Sequence, residues 1–165
     1  MKELVNKLIM LNKTIATMES CTGGGLANEI TNIEGASQVF SYSAVTYSNE
    51  YKIKMGVDEK VINEYTVYSK ETAREMAKNI SNFANSHYGV GITGKLNRMD
   101  INNNYGKNNL IYVSIYEKEK NEFHDYVVEV IKTNRTENKK LVIEKVSKEL
   151  LRLIKDWCCE KNKKL

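Results

Sequence analysis

Three consecutive glycines, Gly23, Gly24 and Gly25, stand behind the short run "TIATM" and ahead of "LANEITNI". Glycine loses more backbone freedom on folding than any other residue, which makes a triplet unfavourable inside a helix or strand and useful in a tight turn. Thr14 to Met18 is a short β-branched run and reads as a strand. Leu26, Ala27, Ile30 and Ile33 recur at helical spacing and read as a helix beginning at the turn. A strand, a glycine turn and a helix therefore anchor the architecture. The rest of the chain must fit around that unit.

It does so by alternation. Leu4, Val5, Leu8, Ile9 and Leu11 share one side of a first helix, and "QVFSYSAVTYS", residues 38 to 48, has strand composition. Residues 57 to 64 form a small helix or turn. Ser69 is an N-cap candidate for a long helix whose buried face carries Ala73, Met76, Ala77, Ile80, Phe83 and Ala84. "YGVGIT" is a strand ending at Gly94, and "LIYVSIY" and "FHDYVVEVI" form a strand pair joined by a polar stretch. A last helix carries Ile143, Val146, Leu150, Ile154 and Trp157. Alternating helices and strands predict one α/β domain over residues 1–165, with helices on the sheet faces. The two late strands in succession predict a partly antiparallel sheet.

The remaining composition narrows the function classes. The hydrophobic fraction of 41% and charged fraction of 28% suit an ordinary globular chain. A formal charge of +4 is spread along the sequence without a clustered basic face, which argues against nucleic-acid binding. No apolar run is long enough to span a bilayer, and the charged amino-terminal stretch is unlike a signal peptide, so a cytoplasmic location is expected. Cys21, Cys158 and Cys159 lack metal-ligand spacing, and the adjacent pair reads as helix packing.

"ESCTGGG" places possible nucleophiles beside that flexible backbone. A glycine turn before a helix exposes amide groups that favour anions such as phosphate. The same turn serves equally as a tight connection without ligand. The stretch is neither GxxxxGK[ST] nor GxGxxG, so triphosphate and dinucleotide patterns are not met. Cys21 at a helix start is one candidate nucleophile, through a lowered thiol pKa. Ser20 is the other, and a serine needs a proton acceptor. His87 and His124, the only histidines, lie outside any motif and read as surface or structural residues. Lys52, in tyrosine-rich surroundings, is a lysine that partial burial would make a base near neutral pH.

"ESCTGGGLANEIT", "GASQVFSYSAVTYSNEYKIKMGV", "VYSKETAREMA", "GVGITG" and "NRTENKK" together resemble the CinA carboxy-terminal domain family in order and spacing, over essentially the whole chain. The resemblance implies a three-layer α/β/α domain with a mixed sheet, commonly a homo-oligomer, without a required metal or other cofactor. It implies a nicotinamide-mononucleotide deamidase, with a pyridine mononucleotide as ligand and no nucleic-acid or membrane partner. It also implies a stand-alone form of a domain that follows a molybdopterin-binding-like domain in larger relatives. By this likeness Ser20 is the nucleophile, Lys52 its base, and Tyr47 orients the pair or the substrate. Glu19, Thr22, Gly23 and Gly24 shape the turn, Thr93 and Gly94 begin a second pocket loop, and Arg135 meets phosphate. The sequence departs from the pattern after Gly94, where "KLNRMDINNNYGKNN" replaces an alanine and a glycine-proline-glycine-glycine loop. Lys139 stands at the second arginine. These departures bear on the substrate, and a non-catalytic nucleotide-binding or assembly module is the alternative.

Overall fold

The computed structural model describes residues 1–101 and 103–162, with side chains described through 155. The elements are α1 (Lys2–Met10), β1 (Ile15–Glu19), α2 (Gly25–Thr31), a 3-10 turn (Ala36–Gln38), β2 (Phe40–Val45), α3 (Asn49–Lys54), α4 (Glu59–Tyr65), α5 (Lys70–Ala84), β3 (Tyr88–Gly94), β4 (Leu110–Glu117), β5 (Glu122–Glu129) and α6 (Arg135–Asn162). The sheet runs β2-β1-β3-β4-β5. β2, β1 and β3 are parallel, whereas β4 and β5 are antiparallel. The α/β class and mixed sheet follow the sequence reading.

The sheet divides two cores. On one side Ile15, Val90, Ile92, Ile111 and Val113 pack with Leu4 and Leu8 of α1, Leu26 of α2 and Val146 and Leu150 of α6. On the other, Ala16 and Met18 pack with Met76 and Ile80 of α5 and with Val57. β3 explains how α5 sits so near. Tyr88, Val90 and Ile92 point into the first core, while Gly89 and Gly91 alternate toward α5. A Cβ on Gly91 would lie 2.2 Å from the Ala73 carbonyl oxygen, and one on Gly89 would lie 2.0 Å from that of Ala77.

Two expectations change. Phe83 belongs to the margin of α5 and is 64% exposed, its ring tilted against Tyr42 at 4.8 Å. The helix ends at Asn85 in the left-handed conformation; its last turn keeps Ser81 buried against β3 and packs Ala84 on the second core, and Phe83 alone of that turn's apolar residues lies outside. The strand expected over 38 to 48 covers only Phe40–Val45, and the unforeseen helix α3 follows it, capped by the Ser48 hydroxyl accepting from the Tyr51 amide at 3.3 Å. The packing expected of Trp157, Cys158 and Cys159 concerns side chains outside the described ones. Among the described residues no helix is long and apolar enough to cross a membrane.

The sheet topology also sets the site. From β1 the chain moves to β2 on one side, and from β2 it crosses to β3 on the other. Ligand crevices in open α/β sheets form at such a switch, beyond the carboxyl ends of the strands. Ser20 follows β1 there, Thr46 and Tyr47 follow β2, and Lys95 follows β3.

Candidate active site

The turn after β1 is held from three sides. The Ser20 amide donates to the Ile92 carbonyl at 3.0 Å, extending the β1–β3 ladder by one residue. The Thr46 amide donates to the Glu19 carbonyl at 2.9 Å, joining the end of β2 to the end of β1. The Gly23 amide donates to the Ser20 carbonyl at 3.0 Å inside the turn. Gly23 and Gly24 have φ of +61° and +86°, the left-handed region in which other L-residues are strained. Gly25 has a different reason, because a Cβ there would meet Ile143 of α6 at 2.7 Å.

Glu19 is buried, and its carboxylate accepts from the amides of Leu26 at 3.0 Å and Ala27 at 2.9 Å. The first turn of α2 therefore already has an acceptor supplied by the protein, at the place where the sequence reading allowed a phosphate. Gly24, the N-cap, offers no side chain for that purpose. Glu19→Ala strands two amides and is expected to destabilise the fold by about 2–4 kcal/mol, read as a lower urea midpoint at unchanged m. A loss below about 1 kcal/mol would show that solvent replaces the carboxylate.

Lys52 is the only buried residue of α3 and is 2% exposed. Its amine reaches inward, 3.1 Å from Ser20 Oγ and 2.9 Å from the Thr46 carbonyl oxygen. As an ammonium it donates to both. As a free amine it is placed to accept the Ser20 proton. Burial brings its pKa down from 10.5 to about 8, with the nearby Cys21 and Asp100 opposing the shift. Glu50, two residues before Lys52 in the same helix, pairs with Lys54.

The depressed pKa carries a stability consequence. Between about pH 8 and 10.5 the unfolded chain holds a proton that the folded chain has shed. Stability therefore rises with pH through that window, and the burial penalty is fully present below it. A shift of this size corresponds to roughly 3 kcal/mol. Lys52→Met, of similar length and without charge, is expected to raise Tm at pH 7 and to flatten stability across the window. Part of the gain is lost because the Thr46 carbonyl loses its donor. A lower Tm for Lys52→Met at pH 7 would contradict this account.

Cys21 adjoins Ser20 but lies in the turn before the helix proper, since α2 begins at Gly25. Burial pushes its thiol up to about 12, so it is protonated at neutral pH. The lowered thiol pKa that the sequence allowed does not arise. His87 accepts from the Thr14 amide at 3.0 Å through Nδ1, a tautomer assigned from this bond. His124 Nε2 lies 3.3 Å from Glu117. With Glu122 these two residues make a close group at the β4–β5 turn, where Lys120 also lies 3.4 Å from Glu117. None of the four lines the cavity beside Ser20.

That cavity encloses about 600 Å³. Ser20, Cys21, Tyr47, Gly94 and Arg135 line it, whereas Glu19, Thr22, Gly23, Gly24 and Thr93 do not. Thr22 is buried, and the Thr93 hydroxyl donates to the Val67 carbonyl at 2.7 Å. Tyr47 is 64% exposed, and its hydroxyl accepts from Arg135 Nη2 at 3.3 Å. One helical turn beyond Arg135, Lys139 brings its amine over the glycine turn, 3.2 Å from where a Gly23 Cβ would stand.

Sequence reasoning missed the wall supplied by the altered loop. Leu96 is buried in the first core, and Asn97 takes the left-handed conformation with φ of +57°. The Asn97 amide donates to the Asn108 carbonyl at 2.7 Å, closing the loop base. Asp100 accepts from the Tyr68 hydroxyl and, at 3.1 Å, from Asn103 Nδ2. Asn49 Nδ2 donates to Asn103 Oδ1 at 3.1 Å, tying the loop to α3. The available signal was a single acid within an asparagine-rich stretch, and nothing local marked its partners.

Fold and site together define an α/β protein with a buried serine–lysine pair at the carboxyl edge of its parallel strands. The chain belongs to the family described as the CinA C-terminal domain, whose model matches residues 1–156. A protein of Thermoanaerobacter pseudethanolicus, provisionally named competence-damage inducible protein, is 49% identical over 96 residues, which cover 57% of this chain and 23% of that relative. One of the same provisional name from Clostridium perfringens is 46% identical over 96 residues, with the same coverage. The chain thus spans under a quarter of the length of these curated relatives. Among solved structures, a CinA superfamily protein from Klebsiella pneumoniae superposes with a TM-score of 0.86 at 16% identity, covering 94% of this chain and 96% of that one. The competence/damage inducible protein CihA from Agrobacterium tumefaciens gives 0.80 at 25% identity, covering 92% and 94%.

Proposed function

We propose that the chain is an amidohydrolase converting nicotinamide mononucleotide and water to nicotinate mononucleotide and ammonia. The observation that carries this reading is the Lys52 amine, stripped of water and 3.1 Å from Ser20 Oγ. Neutral Lys52 takes the hydroxyl proton as Oγ bonds to the carboxamide carbon. The resulting ammonium then gives that proton to the departing nitrogen, and ammonia leaves an acyl ester on Ser20. Water, deprotonated by the same amine, attacks the ester, and the proton returns to Oγ as the carboxylate is released. Arg135 and Lys139, one helical turn apart beside the glycine turn, suit a terminal phosphate.

The loop contact between Asn49 and Asn103 across the cavity rim favours a second reading, in which a nucleotide is held without turnover. An ammonia-release assay on purified protein, run beside an active family member, separates the two. Release supports the hydrolase. No release while the control works, with nucleotide still raising Tm, leaves the binding module.

A further inference from the structure

We infer that Glu117, Glu122 and His124 form an accessory site for one divalent transition-metal ion, zinc by the chemistry of the donors, at the turn end of the β4–β5 hairpin. The sheet register assembles it. Glu117 and Glu122 face each other as the last cross-strand pair before the turn, and His124 lies two residues further along β5, on the same face as Glu122. Each offers one donor atom, and the three atoms lie within 4.8 Å of one another. His124 Nε2 and Glu117 Oε2 are 3.3 Å apart. That is close to the roughly 3.4 Å edge of a tetrahedron drawn with zinc–ligand bonds of about 2.1 Å. None of the three residues lines the cavity beside Ser20, so the ion serves the hairpin and not the amide chemistry.

A second observation points the same way. The Glu117 side chain is only 6% exposed, and its Oε1, shielded from solvent, accepts no hydrogen bond. Lys120 stands 3.4 Å from that oxygen as a charge partner outside hydrogen-bonding alignment, a monocation that a divalent ion bonded to the carboxylate displaces. Like charges directly opposite on neighbouring strands are destabilising, and a shared cation removes the repulsion between Glu117 and Glu122. A proton on His124 Nε2 satisfies the contact with Glu117 Oε2 but leaves that repulsion in place. A metal ion engages both carboxylates and the imidazole at once. One imidazole nitrogen among carboxylate oxygens favours zinc and its first-row neighbours over magnesium, which takes oxygen ligands.

The full chain, treated with a chelator and then given zinc alone, tests the site. Equilibrium dialysis is expected to show saturable uptake of one ion per chain. Zinc at about a hundred times its Kd is expected to raise Tm by about 5 °C, and magnesium to leave it unchanged. Glu122 is exposed and His124 half-buried, so Glu122→Gln and His124→Ala keep the fold. Each is expected to weaken zinc by about a hundredfold and to remove the Tm shift. Cobalt in place of zinc is expected to give ligand-field bands without a thiolate charge-transfer band, since the donors are nitrogen and oxygen. No saturable uptake, an equal Tm shift from magnesium, a thiolate band that moves the ion to cysteine, or full affinity in both variants would overturn the inference. None of these readouts depends on turnover at Ser20, so the site stands or falls apart from the proposed hydrolase.

Discussion

Ser20→Ala is expected to end ammonia release from nicotinamide mononucleotide, with kcat falling by about four orders of magnitude or more. The adjoining thiol, Cys21, is held buried and protonated and cannot take over. Lys52→Met removes the base while leaving the alcohol, and a loss of about 10³-fold or more is expected. That same substitution is the one expected to raise Tm, so the two readouts move in opposite directions. A merely structural lysine would move them together. In the unsubstituted protein kcat/KM is expected to rise with pH and level off above about 8, where burial has brought the Lys52 amine. Roughly a tenth of the molecules carry the free amine at pH 7 on this basis. A rate independent of pH between 6 and 9, or full activity in Ser20→Ala, would remove the serine–lysine mechanism.

The largest structural effect is expected away from the chemistry. Gly91→Ala puts a methyl 2.2 Å from the Ala73 carbonyl oxygen, 2.7 Å from the Ala77 amide nitrogen and 2.9 Å from Met76 Cβ. Two of the three obstacles are helix backbone, so no rotamer change relieves them. Either α5 moves off the sheet, uncovering Ala16, Met18 and Met76, or the strand bends. A cost of about 3–5 kcal/mol is expected, much of the stability of a typical domain. Gly91→Val should leave little folded protein at room temperature. Gly106→Ala is the matched control, because nothing lies within 4 Å of its Cβ and only its φ of +73° opposes the change. Its cost is about 1–2 kcal/mol, and equal urea midpoints for Gly91→Ala and Gly106→Ala would refute the close-contact account.

This contrast also shows where local pattern was informative. "GVG" in β3 and the alanines of "TAREMA" were visible as small residues, but their meeting across the sheet was not a property of either segment. Phe83 fitted the apolar face by spacing, yet two residues before the Asn85 cap it lies at the exposed margin of the helix, against Tyr42. Helix α3 escaped notice because its one buried residue is a lysine, the reverse of the pattern by which an amphipathic helix is recognised. Glu19 looked like part of a ligand turn, but which amides it reaches depends on how sharply the glycines fold the chain back.

By itself the sequence determined the local elements: a glycine triplet that only a turn accommodates, apolar spacings that only helices bury on one side, and β-branched runs that suit strands. Those are short-range consequences of backbone sterics and side-chain shape, so they survive being read one segment at a time. The tertiary structure decided that residue 52 loses its water, that its amine meets the Ser20 hydroxyl, and that Ser20 and Asp100 line one cavity. Desolvation and charge proximity depend on what surrounds a group from every side. That surrounding is assembled from β1, β2, α3 and the loop after β3, segments that the chain order keeps apart.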